Sequence, residues 1–201
     1  MSRLITNAIR STSASADAIT MDGSGNATFP ANVTCSGTAT GFGGGKLLQV
    51  VQTVKTDTFS STSGTFTDIT GMSVTITPSS SSNKIRIKSS INYGGDDNFY
   101  GGIALLRGST SIGVSTAGTG NQINATIGVY QPPVAGNGQY KAYNASIDFL
   151  DSPNTTSATT YKLMVYCFDS MEFNLNKPHS NNNLTYIVCG ISTITAEEIA
   201  A

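Results

Sequence analysis

Apolar and polar residues alternate with a period of two through much of the chain after residue 46. In "KIRIKSSINY", residues 84–93, the isoleucines and Tyr93 fall on one face, whereas Lys84, Arg86 and Lys88 fall on the other. The segment "AYNASIDFL", residues 142–150, repeats this alternation. A period of two is typical of antiparallel strands that bury one face and expose the other.

Further segments are rich in β-branched and aromatic residues, which favour strands. They are residues 46–54, 72–78, 101–107, 111–115, 126–131, 161–168 and 185–194. Clusters of Gly, Pro, Asn, Asp and Ser separate them, as turns require. The pattern predicts an all-β fold, an antiparallel, jelly-roll-like β-sandwich over residues 46–201. Only residues 194–201 and 3–10 have sequences suited to short helical pieces.

Residues 1–45 are predicted to form a separate N-terminal segment, because they contain too few large apolar side chains for a core. Apart from Met1 these are Leu4, Ile5, Ile9, Ile19, Met21, Phe29, Val33 and Phe42. Ordering one residue costs roughly 1–2 kcal/mol of backbone entropy. Burying one such side chain returns about 1.5–3 kcal/mol. The segment is therefore either disordered or folded against copies of itself or a partner.

Strand-like alternation around "DGSGN", a hairpin-turn sequence at residues 22–26, favours folding against copies. We therefore expect an extended, β-rich shaft, intertwined as a homotrimer, with "GFGGG" at residues 41–45 as a flexible joint. The sandwich at residues 46–201 would form a knob after this joint.

Charge and composition narrow the classes of function. Charged residues make up 11% of the chain and the net charge is −1. No basic surface for nucleic acid is expected from this balance. A surface of Ser, Thr, Asn and Gly packs closely against other chains, since few charges must lose water. The composition thus indicates an assembly component.

Neither a membrane span nor a secretory signal is predicted, because long apolar runs are missing. Three cysteines, Cys35, Cys167 and Cys189, form no evident disulfide framework. Cys167 and Cys189 lie in apolar runs and are predicted as buried thiols, which fits synthesis in a reducing cytoplasm.

The loop "GGDDNFYGG", residues 94–102, carries the clearest candidate binding residues. Asp96, Asp97 and Asn98 supply oxygen atoms of the kind that calcium prefers, although EF-hand spacing is missing. Phe99 and Tyr100 have rings suited to stacking on a sugar face. The alternative is a solvated hairpin tip whose aromatic residue enters the next strand.

No catalytic residue, cofactor or metal centre is predicted. His179 is the single histidine and lies in a polar loop after Pro178, where a plain surface role is expected. Lys46 after "GFGGG" leads into a strand, unlike the lysine of a phosphate-binding loop. No two carboxylates are placed across one cleft, and the chain has no Trp. Two polar loops, residues 131–140 and 177–183, are either receptor-binding rims or plain connectors.

Several of these segments resemble parts of bacteriophage fibre-like virion proteins. "ITMDGSGNATFPANVTCSGTATG" is similar to short shaft elements of phage tail fibres, and "MSRLITNAIRS" to their attachment ends. A domain common in fibre-like proteins, especially of marine phages, resembles "LLQVVQTVKTDTFSS", "TGMSVTITPSSSSNKIRIKSSINYG", "ALLRGSTSIG" and "FLDSPNTTSATTYKLMVY". The chain is short for a receptor-reaching tail fibre, which leaves room for a head fibre or a capsid decoration.

The resemblance implies a homotrimeric tail or head fibre, located on the virion and made in the bacterial cytoplasm. Its N-terminus, with Leu4, Ile5 and Ile9, would dock on other virion proteins, and its knob would adhere to a host-surface glycan or receptor. Two alternatives stay open: a capsid decoration or cement protein, and a stand-alone carbohydrate-binding module that uses Asp97 and Tyr100.

Overall fold

The computed structural model describes residues 8–9, 16, 19–29, 46–133 and 138–201. The chain divides into two compact units, residues 1–43 and 44–201. The proposed boundary between a docking segment and a knob at residue 45 stays a prediction. Leu4, Ile5, Cys35 and the "GFGGG" joint lie outside the described residues.

The N-terminal unit contains a small antiparallel sheet in the order β1-β2-β3. Its strands are Ala8–Ile9, Ile19–Met21 and Ala27–Thr28. The turn between β2 and β3 is the predicted "DGSGN". There the Asp22 carboxylate accepts hydrogen bonds from the backbone N–H groups of Ser24 (2.9 Å) and Asn26 (2.8 Å). Gly25 takes a φ of +85°, which favours glycine. The hairpin prediction is confirmed.

Large apolar side chains of this unit are exposed in the single chain. Ile9, Met21 and Phe29 are 45%, 37% and 44% exposed. The helical expectation for residues 3–10 is wrong at Ala8–Ile9, which pair with β2 as a strand. The other residues of that segment lie outside the described part.

The C-terminal unit is built from two antiparallel sheets, so the predicted all-β, sandwich-like fold class is confirmed. The five-stranded sheet has the order β10-β8-β12-β6, with β9 also on β8. Its strands are β6 (Thr67–Ile76), β8 (Tyr100–Arg107), β9 (Thr110–Ile112), β10 (Ile127–Tyr130) and β12 (Thr159–Cys167).

The six-stranded sheet has the order β4-β14-β7-β13-β5, with β11 on the opposite edge of β7. Its strands are β4 (Leu47–Lys55), β5 (Phe59–Ser61), β7 (Lys84–Gly95), β11 (Tyr143–Asp151), β13 (Phe173–Leu175) and β14 (Ser192–Ile199). The short strands β5 and β13 were not predicted, because neither carries an alternating pattern of useful length.

One hydrophobic core contains the inward faces of both sheets. From β7 it takes Ile85, Ile87 and Ile91, all fully buried, while Lys88 on the opposite face is exposed. The alternation in residues 84–93 therefore describes the real strand. Residues 142–150 behave in the same way, with Ile147 buried and Asp148 exposed.

The C-terminal residues 194–201 correct the helical expectation. Ala and Glu favour helices, but here they form β14, which pairs with β4 on one side and β7 on the other. Ile194, Ala196 and Glu198 are buried in alternation. Sheet pairing on both edges therefore overrides local helix propensity.

The apolar run 185–194 is only partly a strand, because β14 begins at Ser192. Tyr186 and Val188 are 61% and 71% exposed. The prediction of a buried Cys189 is wrong, since this cysteine is exposed. Cys167 is buried as predicted, and burial raises the pKa of its thiol.

A polar cluster links the two sheets at one end of the core. Asp151, at the end of β11, accepts hydrogen bonds from Arg107 of β8 (2.9 Å) and from the Tyr161 hydroxyl of β12 (2.7 Å). Burial, followed by this hydrogen bond, raises the pKa of Tyr161 well above its usual range. The Tyr161 hydroxyl therefore stays protonated and remains a donor to Asp151 across the physiological pH range.

A second buried carboxylate, Glu198, fixes the turn between β6 and β7. Its Oε1 accepts from the Ser79 N–H (2.6 Å), the Ser79 hydroxyl (2.7 Å) and the Asn83 side-chain amide (2.7 Å). Burial raises the pKa of Glu198, but the hydrogen bonds from Asn83 and Ser79 outweigh it, so the net pKa is lowered.

We predict that Glu198→Gln destabilises the fold at neutral pH. The variant should also lose less of its free energy of unfolding than the unmodified chain when the pH is lowered. A lowered folded-state pKa contributes stability that is fully present above the ordinary glutamate pKa of 4.5 and is lost as the pH falls below it. The variant should lose about 1–3 kcal/mol at pH 7, the value of a charged hydrogen-bond set. Urea unfolding at pH 7 and pH 3 measures both effects. Glu197→Gln, a neighbour on the other face of β14, is the control, and an equal loss there would contradict the assignment.

Candidate functional site

The candidate site is a groove on the outer face of the five-stranded sheet. On β8, Ile103 and Leu105 point into the core and are fully buried. Successive residues of a strand point to opposite faces. Tyr100 and Gly102 are therefore turned outward, and they form part of the groove.

A pair of glycines forms the floor. Gly102 of β8 lies directly opposite Gly128 of β10. A Cβ atom at Gly128 would meet nothing within 4 Å, whereas one at Gly102 would lie 3.0 Å from the Ala125 Cβ. Gly102 is buried beside Ala125, whereas Gly128 is exposed, so the backbone of the sheet is open to a ligand at Gly128.

Aromatic rings stand along one side of the floor. The Tyr100 and Tyr130 rings pair across β8 and β10 with centroids 4.9 Å apart. Phe168 meets Tyr100 edge-on at 6.3 Å. Tyr100, Tyr130 and Phe168 are 45%, 44% and 50% exposed. Desolvation, followed by the hydrogen bond with Tyr100, raises the pKa of Tyr130, so its hydroxyl is neutral at physiological pH.

The opposite wall is the loop of residues 113–126, and it is held by internal hydrogen bonds. The Asn124 side chain accepts from the Gly118 N–H (2.9 Å), and Gln122 accepts from the Thr119 N–H (2.9 Å). Thr126 ties the loop to β8, since its N–H donates to the Ile103 carbonyl and its hydroxyl accepts from the Leu105 N–H (2.8 Å). The wall is thus formed before any ligand arrives.

The resulting cavity has a volume of about 610 Å³, within the usual range for small-ligand sites. Its lining residues are Tyr100, Gly101, Gly102, Ser115, Asn121, Ile123, Ala125, Gly128, Tyr166 and Phe168. None of these lining residues carries a charge. The groove therefore offers ring faces, a few amide and hydroxyl groups, and exposed backbone to a neutral ligand.

The predicted loop of residues 94–102 contributes Tyr100, Gly101 and Gly102 to this groove, of which only Tyr100 belongs to the predicted binding residues. Tyr100 lines it, but Phe99 is fully buried and packs on Phe173, with ring centroids 6.0 Å apart. The predicted stacking of Phe99 on a sugar is therefore wrong, because its ring belongs to the core. The alternative expectation, that an aromatic residue of the hairpin enters the next strand, is met by Tyr100, which begins β8.

The polar residues of the same loop lie beside the groove. Asn98 has a φ of 68°, and its side-chain oxygen accepts from the Tyr130 hydroxyl at 3.4 Å. Asp97 is exposed at the hairpin tip. Asp96 is turned away toward Glu172, whose N–H donates to Asp96 Oδ2 at 2.7 Å. A receptor role for these three residues stays a prediction.

Sequence reasoning missed most of the groove. In β12 and the turn after it, Val165 and Cys167 are buried, whereas Tyr166 and Phe168 alternate with them on the opposite face. This alternation in the sequence could have identified Tyr166 and Phe168 as outward-facing aromatic residues. The cross-strand partner Tyr130 gave no such signal, because its pairing with Tyr100 depends on register. Ile9, the described member of the predicted docking residues, lies in β1.

The two predicted rim loops come together in the fold. Ser180 donates through its N–H to the Gln139 carbonyl (2.8 Å). Residues 134–137 of the first loop lie outside the described part. The contact shows that these loops are at least mutual supports, and their receptor role stays a prediction.

Comparisons with known proteins give no family assignment. A scan against protein-family models found no match, and no curated protein matches the chain. No helix in the described ranges is long and apolar enough to cross a membrane.

Solved structures with weak similarity include VP2 of infectious bursal disease virus. A mutant VP2 in T=1 particles shares 10% identity over 86% of this chain and 43% of its own, with a TM-score of 0.37. The VP2 subviral particle shares 11% identity over 85% of this chain and 43% of its own, with a TM-score of 0.37. The structure of the Gx strain shares 13% identity over 78% of this chain and 37% of its own, with a TM-score of 0.28. This chain thus spans less than half of each. TM-scores this low establish no common fold, so the groove stands on its own geometry.

We predict that Thr126→Val loosens the loop wall and destabilises the C-terminal unit. The change keeps the side-chain shape but leaves the buried Leu105 N–H without its acceptor, at a cost of about 1–3 kcal/mol. Urea unfolding measures the loss, and amide exchange at Leu105 should accelerate. Thr156→Val, at an exposed threonine, should have no such effect. Unchanged stability of Thr126→Val would show that the loop is anchored by other contacts.

Proposed function

We propose that this chain is a phage virion structural protein, a trimeric fibre-like appendage whose knob adheres to a neutral glycan on the host surface. The observation that carries the proposal is the uncharged, aromatic-walled groove above the Gly102–Gly128 floor. The sequence resemblance to phage fibre-like proteins supports the virion setting. The proposal includes no enzymatic activity.

Neutral sugars match the chemistry of this groove. A pyranose ring has an apolar face that packs on an aromatic ring, and hydroxyl groups that need donors and acceptors at its rim. Tyr100 and Phe168 supply the rings, while Ser115 and Asn121 supply the polar contacts. Acidic sugars are disfavoured, because the lining offers no cation to replace the water around a carboxylate.

Trimerisation is supported by apolar surface that a single chain leaves uncovered. On the outer face of β4, Leu48, Val50 and Val54 are 43%, 53% and 48% exposed. In the described part β4 pairs only with β14, so it is an edge strand. A long apolar edge strand associates readily with another chain. In the N-terminal unit, the exposed side chains of Ile9, Met21 and Phe29 also form apolar surface that contact with another chain would bury.

We predict that the protein binds neutral glycans through the groove and that Tyr100→Ala weakens this binding about tenfold. The loss corresponds to one aromatic contact of about 1.4 kcal/mol. Phe168→Ala should act similarly, since both rings are about half exposed and carry little of the core. A microarray of bacterial surface glycans identifies the ligand, and calorimetry with the best hit measures the affinity.

Gly128→Ala provides a sharper form of the same test. The added methyl group points into open space, so it leaves the fold intact while raising the floor of the groove. Gly64→Ala, which also meets nothing within 4 Å, is the matched control, because Gly64 does not line the groove. The adhesion proposal fails if no glycan binds, or if Gly128→Ala and Gly64→Ala bind equally well.

We predict that the purified chain is a trimer, with three times its 20.8 kDa mass by light scattering. Val50→Glu should shift it toward monomer, because a buried unpaired charge in the contact is costly. Val188→Glu, at an exposed apolar residue outside β4, should not. A monodisperse monomer of the unmodified chain at micromolar concentration would contradict the fibre proposal.

The two alternatives give different results in these experiments. A monomer that binds glycans through the groove would be a stand-alone carbohydrate-binding module. A capsid decoration would bind many identical capsid sites, so counting its copies per particle separates hundreds from the few copies of a tail fibre.

A further inference from the structure

Three metal-ligating side chains from separate loops meet near the tip of the β7–β8 hairpin. Asp96 lies in the hairpin, Glu172 just before β13, and His179 in the segment after β13. His179 Nδ1 lies 3.1 Å from Asp96 Oδ1 and 3.2 Å from Glu172 Oε2. The ligand atoms of all three lie within 4.8 Å of one another. The cluster thus combines one imidazole with two carboxylates.

The imidazole nitrogen in this cluster lacks a hydrogen-bond partner. His179 Nδ1 is inaccessible to solvent and makes no hydrogen bond within the described structure, despite the two nearby carboxylates. Buried polar atoms rarely stay unsatisfied. Ligands about 2.0–2.2 Å from a shared ion are separated by roughly 3–3.5 Å, which matches the two measured nitrogen–oxygen distances.

The surrounding backbone holds these side chains in place. The Asp96 N–H donates to the Glu172 carbonyl (3.1 Å), and the Glu172 N–H donates to Asp96 Oδ2 (2.7 Å), which turns Oδ1 toward His179. A Cβ atom at Gly94 would lie 2.6 Å from the Pro178 Cα. Only glycine therefore lets the chain carrying His179 come this close. Outer contacts of this kind orient metal ligands.

We propose that Asp96, Glu172 and His179 bind a divalent transition-metal ion of the zinc type, with water at the remaining positions. Imidazole favours zinc-like ions, whereas calcium prefers a larger set of oxygen ligands. The ion would join three loops at one end of the sandwich. Phe168 of the groove precedes Glu172 by four residues, so the same ion would steady the end of the aromatic wall. This inference does not depend on the proposed glycan binding.

Calorimetry on the full chain, stripped with EDTA and titrated with zinc chloride, tests the site. Cys35→Ser and Cys189→Ser in all proteins remove thiols that bind zinc on their own. We expect one saturable zinc site per chain and a rise in the thermal midpoint. Asp96→Asn and His179→Gln should each weaken zinc binding at least tenfold.

Asp169→Asn is the matched control, because it removes one exposed carboxylate near the cluster without removing a ligand. Asn also tolerates the positive φ of 49° at this position. The site is overturned if zinc gives no saturable binding, if His179→Gln binds zinc as tightly as its parent, or if Asp169→Asn loses as much affinity. Saturable calcium binding without zinc binding would overturn the choice of ion.

Discussion

Burial of one face of every long strand between the two sheets is the constraint on which this molecule depends. Isoleucines of β7 and the inward residues of β8 and β12 fill a single core. Because strand side chains alternate, a slip of one residue would turn the core face of a strand to solvent. The register that buries Ile103 and Leu105 in the core is thus the one that turns Tyr100 and Gly102 to the outer face of the sheet. The groove is a consequence of the core.

Long strands with clear alternation could be predicted from the sequence alone. The segment that forms β7 alternates isoleucines with charged residues, and the segment that forms β11 alternates apolar with mostly polar residues; burial follows both patterns. The C-terminal residues were harder, since Ala and Glu favour a helix when taken locally. Their strand depends on β4 and β7, which lie far away in sequence. Residues 185–191 show the opposite case: their apolar composition favours a strand, but they pair with no neighbouring strand and stay outside the sheets.

Only those residues of the candidate site that lie within one short sequence segment could be predicted. Tyr100 was identified from its loop, but the neighbouring Phe99 turned inward, and sequence composition does not say which of two adjacent aromatics takes the core side. Tyr130 and Phe168 join Tyr100 through strand pairing. The meeting of Asp96 with His179 likewise depends on Gly94 and on the path of the chain after β13. Such contacts are set by tertiary structure.

The outward position of the groove separates recognition from folding. Tyr100, Tyr130 and Phe168 stand on an already formed sheet and are about half exposed, so replacing one of them removes little buried area. The residues directly beneath them tolerate almost no change of volume. Among descendants of this protein we therefore expect divergence to concentrate in the wall rings and the 113–126 loop. Under the proposed adhesion function, the glycan preference of the groove would then change while the scaffold stays constant.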